Sequence, residues 1–130
     1  MKKVFLSYTL ADAAFAHQLA ASLRPDTDVI DLTSTAGSGE QWSTLLRDGL
    51  STAEAMVLLV SRRALESTWL NFEIGAAVGM GKRVVPVFLD DPKHIDWDRA
   101  DFVLRGLRYV DVHGMSAAAA ADAIRQAIAA

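Results

Sequence analysis

Ala55-Met56-Val57-Leu58-Leu59-Val60 is an unbroken apolar run near the middle of the chain. A strand that packs against a core on one side alternates apolar and polar residues, whereas a strand buried on both faces is apolar throughout. The run therefore predicts a central strand in a sheet that helices cover on both faces. Sheets of that kind are predominantly parallel.

Short apolar stretches and segments of helical period alternate on both sides of this run. The other predicted strands are residues 4–6, 29–32, 83–89 and 107–112. The predicted helices are residues 11–23, 40–50, about 67–80 (ended by Gly79 and Gly81), and an Ala-rich final helix that Ser116 caps. Five βα units favour a flavodoxin-like three-layer α/β fold, in which a five-stranded parallel sheet of order 2-1-3-4-5 carries helices on both faces.

Pro86 conflicts with this arrangement, because it lies inside a strand that the predicted order makes internal. Proline has no N–H group and forfeits one hydrogen bond of the ladder. We therefore expect a β-bulge or a local strand end at Pro86.

Composition restricts the class of protein. The chain has 130 residues, of which 52% are hydrophobic and 22% are charged, so we expect residues 1–130 to form a single domain. A net charge of −3 gives no basic excess for binding nucleic acid. No apolar run approaches the ~20 residues of a membrane helix or resembles a secretory signal, so we expect a cytoplasmic protein without a membrane partner. The absence of Cys excludes thiolate metal sites and cysteine nucleophiles, and the scattered His17, His94 and His113 predict no metal site.

Polar and aromatic side chains are expected at the point where the strand order reverses. Parallel sheets bind ligands beyond the carboxyl ends of their strands there, between the first and third strands. The first strand ends at Ser7-Tyr8 and the third at Ser61. In the following helix Trp69 and Glu73 share one face, since they are four residues apart. The alternative for Glu73 is an ordinary acidic residue near a helix amino terminus, where the helix dipole favours it.

Four sequence boxes, spread over about residues 3–111, resemble those of the Toll/interleukin-1 receptor (TIR) domain family. The first is Phe5-Leu6-Ser7-Tyr8 followed by Asp12, and the second is Gly39-Glu40-Gln41-Trp42, at the end of the segment 31–42, which resembles the BB loop. The third, Ser67-x-Trp69-x-x-x-Glu73, resembles the Trp-x-x-x-Glu motif of enzymatic members. The fourth, Val84-Val85-Pro86-Val87, is similar to the proline-bearing fourth strand common in the family.

The resemblance implies an enzyme that cleaves the nicotinamide–ribose bond of NAD+, which is a substrate and not a cofactor. The products would be ADP-ribose or a cyclic ADP-ribose isomer, in bacterial defence or cell-death signalling, and the domains would self-assemble into homo-oligomers. Glu73 would be the catalytic residue and Trp69 part of the pocket. The further candidate substrate-binding residues are Ser7, Tyr8, Trp42 and Ser61; each also has a structural interpretation, as a buried tyrosine, a core tryptophan or a serine that ends a strand.

One carboxylate is enough for this chemistry. Cleavage of an N-glycosidic bond passes through an oxocarbenium-like state on the ribose, which a carboxylate stabilises. The nicotinamide nitrogen is already cationic in NAD+, so no strong general acid is needed. Two departures from the family concern binding: Thr9-Leu10 stands where some NAD-cleaving members carry basic residues, and the segment 33–39 lacks the usual charges. Phosphate binding would then depend on backbone amides, on Arg62 or Arg63, or on a partner chain.

Three other functions fit the same fold. A TIR adaptor without enzymatic activity would dock other TIR domains through the segment 33–39 and neighbouring helices. A nucleoside transferase would also use a carboxylate at a ribose. A phospho-receiver domain would need clustered acids after the first strand and an Asp after the third, and the chain has Ser7-Tyr8 and Ser61 there.

Overall fold

The computed structural model describes residues 1–31, 39–66, 68–97 and 106–129, with the backbone alone described at 39–43, 68 and 69. The strands are β1 (Lys2–Ser7), β2 (Thr27–Ile30), β3 (Ala55–Val60), β4 (Arg83–Phe88) and β5 (Val110–Asp111). The α-helices are α1 (Ala13–Leu23), α2 (Gly39–Thr52), α3 (Thr68–Gly79) and α4 (Ala117–Ala129). Short 3-10 turns cover Leu10–Asp12, Ala64–Glu66 and Pro92–His94.

The strands form one parallel sheet in the order β2-β1-β3-β4-β5. This confirms the predicted flavodoxin-like α/β fold. All six residues of β3 are buried, as the continuous apolar run predicts for the centre of the sheet. The order reverses between β1 and β3, whose carboxyl ends lie side by side with Ser7 in register with Leu58.

Two hydrophobic cores lie on opposite faces of the sheet. One contains Leu6, Val57 and Val85 and packs against α1 and α4; the other contains Phe5, Met56 and Val84 and packs against α2 and α3. Successive residues of a strand point to opposite faces. The end of β1 therefore directs Ser7 to the α2–α3 face and Tyr8 to the α1–α4 face.

Several predicted element bounds were wrong by a few residues. The predicted fifth strand 107–112 is reduced to Val110–Asp111; just before it, Tyr109 stacks flat on Phe88, with ring centroids 4.6 Å apart and planes 7° apart. The first helix begins at Ala13 because the preceding residues form a 3-10 turn. The second strand ends at Ile30 instead of residue 32. At α4, the N–H of Ala119 donates to Oγ of Ser116 at 3.2 Å, which confirms the predicted cap.

Pro86 lies in regular pairing with β3, opposite Leu58, and β4 continues through it to Phe88, so the expected bulge or local strand end is wrong. The N–H of Leu89 donates to β3, and the carbonyl of Phe88 accepts from Val112 beyond β5. Since backbone groups alternate in direction along a strand, Pro86 directs its nitrogen toward β5, as Phe88 does. The pairing of β5 reaches only Val87 and Phe88. Pro86 therefore lies beyond the end of β5, and its missing N–H costs the sheet no hydrogen bond.

Glycine ends α3, as the sequence predicts. Gly81 has φ +71°, its N–H donates to the carbonyl of Val78 at 3.0 Å, and the N–H of Lys82 donates to the carbonyl of Ala77 at 2.9 Å. This pair of bonds is a Schellman motif, which needs a left-handed residue at the position of Gly81. Within the described ranges, none of the helices combines the length and the apolar character needed to cross a membrane.

Candidate active site

Glu73 and Ser7 form a buried polar pair at the carboxyl end of β1. Glu73 lies in the first half of α3, on the face that packs against the sheet, and its side chain is 6% exposed. Ser7, the last residue of β1, is 4% exposed and donates its hydroxyl hydrogen to Oε2 of Glu73. The two residues are 66 positions apart in the sequence. The fold thus places a carboxyl group beside the point where the strand order reverses, where parallel sheets bind ligands.

Burial raises the pKa of the Glu73 carboxyl to about 8, from an ordinary value of 4.5. A buried carboxylate loses its hydration, which disfavours the ionised form. This desolvation is what raises the pKa of Glu73. No compensating cation among the described residues contributes to the pKa of Glu73. The site therefore holds a carboxyl group whose ionised form a positive charge in its vicinity would stabilise.

Tyr8 is held on the opposite face of the sheet. Its hydroxyl donates to the carboxylate of Asp31, 2.8 Å from Oδ1 and 2.9 Å from Oδ2. Nε2 of His17, on α1, lies 3.2 Å from the same hydroxyl, and the two rings meet edge to face with centroids 6.0 Å apart. Tyr8 thereby connects the end of β1 to α1 and to the segment that follows β2. No periodicity in the sequence singles out His17 or Asp31 for this contact.

Ser61 fastens the end of β3 to the turn that follows β1. Its hydroxyl donates to Oδ2 of Asp12 at 2.6 Å and accepts from the N–H of Ala64 at 3.1 Å. The same oxygen of Asp12 accepts from Oγ1 of Thr9 at 3.3 Å. Asp12 is part of the first sequence box, so its presence there was the signal that could have identified this contact.

A cleft of about 360 Å³ opens at the carboxyl ends of β1, β3 and β4. It is lined by residues from the three segments that follow these strands: Ala11, Asp12, Ser61, Arg62, Arg63, Leu89 and Asp90. Asp90 accepts the backbone N–H of Arg62 at 2.8 Å. The cleft lies where the topology predicts a ligand, and it contains both arginines named as candidates for phosphate binding.

The structure brings together two of the predicted site residues, Ser7 and Glu73. Tyr8 and Ser61 lie at the same edge of the sheet, with the hydrogen bonds given above. The side chains of Trp42 and Trp69 lie outside the described residues, as do residues 32–38, which make up most of the segment that resembles the BB loop. Within the described ranges, no group of three or more His, Asp or Glu side chains could hold a metal ion.

The chain is thus an α/β domain that has a parallel sheet of order 2-1-3-4-5 and a buried carboxyl group on α3. A family model described as a TIR domain matches residues 4–128, which is nearly the whole sequence. The chain belongs to the TIR domain family. The resemblance inferred from the four boxes is thereby confirmed at the level of the family.

Solved structures agree with this assignment. A metazoan TIR-STING receptor from C. gigas, in complex with 2′,3′-cGAMP, is 23% identical with a TM-score of 0.73; the match covers 93% of this chain and 38% of the receptor chain. The TIR domains of the activated Roq1 resistosome, which directly recognises the pathogen effector XopQ, are 20% identical with a TM-score of 0.66 over 99% of this chain and 98% of that one. The CMP N-glycosidase BcmB of Clostridium botulinum is 16% identical with a TM-score of 0.66 over 99% of this chain and 100% of that one.

These similarities show a shared fold. The chain spans well under half of the length of the TIR-STING receptor. None of the curated proteins compared with the chain matches its sequence.

Proposed function

We propose that residues 1–130 form a single TIR domain that cleaves the nicotinamide–ribose bond of NAD+ and releases ADP-ribose or a cyclic ADP-ribose isomer. The observation that carries the proposal is the buried carboxyl group of Glu73 at the carboxyl end of β1, hydrogen-bonded by Ser7. NAD+ is consumed as a substrate, and the reaction uses no cofactor and no metal.

The electrostatics of Glu73 suit a reaction in which positive charge moves onto the ribose. The raised pKa of about 8 means that the folded protein stabilises the ionised carboxylate of Glu73 less than water does. An oxocarbenium-like ribose beside the carboxylate would supply the missing positive charge. Because the site is desolvated, this attraction would be stronger than in water. The interaction grows as charge develops on the ribose, so it favours the transition state over bound NAD+.

The bond changes need one carboxylate and one nucleophile. The C1′–N bond of the nicotinamide riboside breaks, and its electron pair neutralises the pyridinium nitrogen of nicotinamide. Water then adds to C1′ and loses a proton, which gives ADP-ribose. If a nitrogen or oxygen of the same molecule adds to C1′ instead, the product is a cyclic isomer. Glu73 stabilises the ribosyl cation between these two events.

The remaining candidate residues are proposed to form the substrate pocket. We assign Trp69 and Trp42 to its walls, from their places in the sequence boxes, and Ser7, Tyr8 and Ser61 to the ends of β1 and β3 that border it. We assign the diphosphate to the cleft that contains Arg62 and Arg63, which neither Glu73 nor Ser7 lines. The CMP N-glycosidase of the same fold supports N-glycosidic cleavage as a chemistry that this architecture can perform.

We also propose that other TIR domains are its protein partners, beginning with copies of this chain. The similarity to TIR domains within the activated Roq1 resistosome supports assembly as a step in activation and a role in defence or cell-death signalling. A cytoplasmic setting follows from the proposed substrate, because NAD+ is an intracellular metabolite.

The test is nicotinamide release from NAD+ over a range of protein concentrations. Wild type is compared with Glu73→Gln and with Glu54→Gln, a matched control at an exposed glutamate. We expect release that rises faster than linearly with protein, is lost in Glu73→Gln and persists in Glu54→Gln. Chromatography of the same samples identifies the product, and parallel reactions with CMP and deoxynucleosides test the related N-glycosidase and transferase activities.

Each contrary result has a definite meaning. No release at any concentration, together with retained TIR–TIR association in Glu73→Gln, would replace the proposal with an adaptor function. Cleavage of CMP in preference to NAD+ would assign a nucleotide N-glycosidase. Release that Glu73→Gln leaves intact would show that Glu73 is not the catalytic residue.

A further inference from the structure

We propose that Ser7 is a positioning residue for Glu73: its hydroxyl holds Oε2 of the carboxylate and leaves Oε1 to face the ribose. This inference rests on the proposed cleavage of NAD+. It assigns to Ser7 a role exerted through Glu73, in place of direct contact with the substrate.

The hydrogen-bonding capacity of the two groups supports this assignment. A serine hydroxyl has one hydrogen to donate, and that of Ser7 is donated to Oε2 of Glu73. Ser7 therefore cannot donate to a substrate hydroxyl while the pair is intact. Among the described residues, every fully buried side-chain oxygen has a hydrogen-bond partner. Ser7 bonds to Glu73 through Oε2. Oε1 has no hydrogen bond to a described residue, so it is not fully buried, and the proposal assigns this oxygen to the ribose.

The fold makes Ser7 a rigid support. It is the last residue of β1, paired on one side with β3, in register with the fully buried Leu58. Glu73 projects from a helix on a side chain with three rotatable bonds, so an unsupported carboxylate would occupy several orientations. A hydrogen bond from the strand restricts it to one. The catalytic group is thus aligned when the protein folds, before the substrate binds.

Described charged side chains on the elements around Glu73 lie away from it. β3 and α3 carry no charge apart from Glu73 itself. On α2, Arg47 and Asp48 are exposed, and so is Glu66 on the 3-10 turn that contacts α3. The charges of β1 and β4 occur at the amino ends of these strands, opposite the site: Lys2, Lys3 and Arg83. The hydroxyl of Ser7 is therefore the polar group that the described residues place against the carboxyl group of Glu73.

The kinetic consequences separate positioning from substrate contact. In Ser7→Ala the carboxylate loses its donor, so kcat should fall tenfold or more, KM should stay within about twofold, and the acid limb of the pH–rate profile should move up by about one pH unit. Ser7→Thr retains the hydroxyl and should restore both kcat and the midpoint. A rise in KM with an unchanged midpoint would mean that Ser7 contacts the substrate, and would overturn the proposal.

A second measurement does not depend on activity. The pKa of Glu73 is followed by ¹³C NMR of the glutamate carboxyl carbons, with Glu73→Gln used to assign the signal. Ser7→Ala should move this midpoint upward by about one pH unit, whereas Ser51→Ala, at an exposed serine, should leave it in place. An unmoved midpoint in Ser7→Ala refutes the proposal even if NAD+ is cleaved. A moved midpoint without any NAD+ cleavage refutes the proposed function and retains the coupling. If Ser7→Ala does not fold, Ser7→Cys, whose thiol is a weaker donor, provides the same comparison.

Discussion

Replacing Glu73 by Gln should make the domain more stable at pH 8 than the wild type is. Burial holds the pKa of Glu73 at about 8 in the folded protein, against 4.5 for the free side chain. Between these two values the folded state keeps a proton that the unfolded state has lost. The free energy of unfolding therefore falls as the pH rises through this window. Glutamine is neutral at every pH, has nearly the shape of protonated glutamate, and can still accept from Ser7.

The size of the effect follows from the two pKa values. A separation of one pH unit corresponds to about 1.36 kcal/mol, so the interval from 4.5 to about 8 corresponds to roughly 4 to 5 kcal/mol. The side chain is 6% exposed, so solvent screening reduces this little. Such a value is a large part of the 5 to 15 kcal/mol that is typical of small domains. The proposed catalytic carboxylate therefore carries a substantial cost in stability.

The assay is urea unfolding of wild type and Glu73→Gln at intervals from pH 4.5 to 8.5. The two proteins should be about equally stable at pH 4.5, and the difference should grow to several kcal/mol at pH 8. Other groups titrate in this range, notably His113, whose pKa is raised by its hydrogen bond to Asp111; they are common to both proteins and cancel in the difference. Glu54→Gln should show no such trend. Parallel stability curves for wild type and Glu73→Gln would refute the argument that Glu73 is buried without compensation.

Three further predictions concern activity and packing. If ionised Glu73 is the catalytic form, kcat/KM for NAD+ should rise about tenfold per pH unit below a midpoint near 8 and level off above it; a flat profile would contradict this role. Gly81→Ala should cost about 1 to 2 kcal/mol, because φ is +71° there, whereas Gly75→Ala, within α3 and with nothing within 4 Å of the added Cβ, should gain about 0.5 to 1 kcal/mol; thermal unfolding measures both. Arg125→Lys should lower Tm by a few degrees, since a lysine cannot reproduce the bonds of the guanidinium to Asp26, Asp122 and the carbonyl of Ser22; an unchanged Tm would contradict this.

Much of the fold could be predicted because it depends on local patterns. The unbroken apolar run of β3 indicated a strand buried on both faces, and the alternation with helical segments indicated a parallel sheet. Glycine at the end of α3 and serine at the start of α4 act on their immediate neighbours, so their roles were visible in the sequence. The bounds of β5 were not predictable in this way, because they depend on its pairing with Val87 and Phe88 of β4, which is a tertiary contact.

The site shows the same division. The sequence by itself determined which residue types are present and that Ser7, Ser61 and the helix bearing Glu73 belong near the reversal of the strand order. Only the tertiary structure decided which of them meet. Adjacent residues at the end of β1 point to opposite faces, so Ser7 bonds to Glu73 while Tyr8 bonds to Asp31. The raised pKa of Glu73 is likewise a tertiary property, because desolvation depends on the strands and helices that close around the carboxyl group and not on its neighbours in the chain.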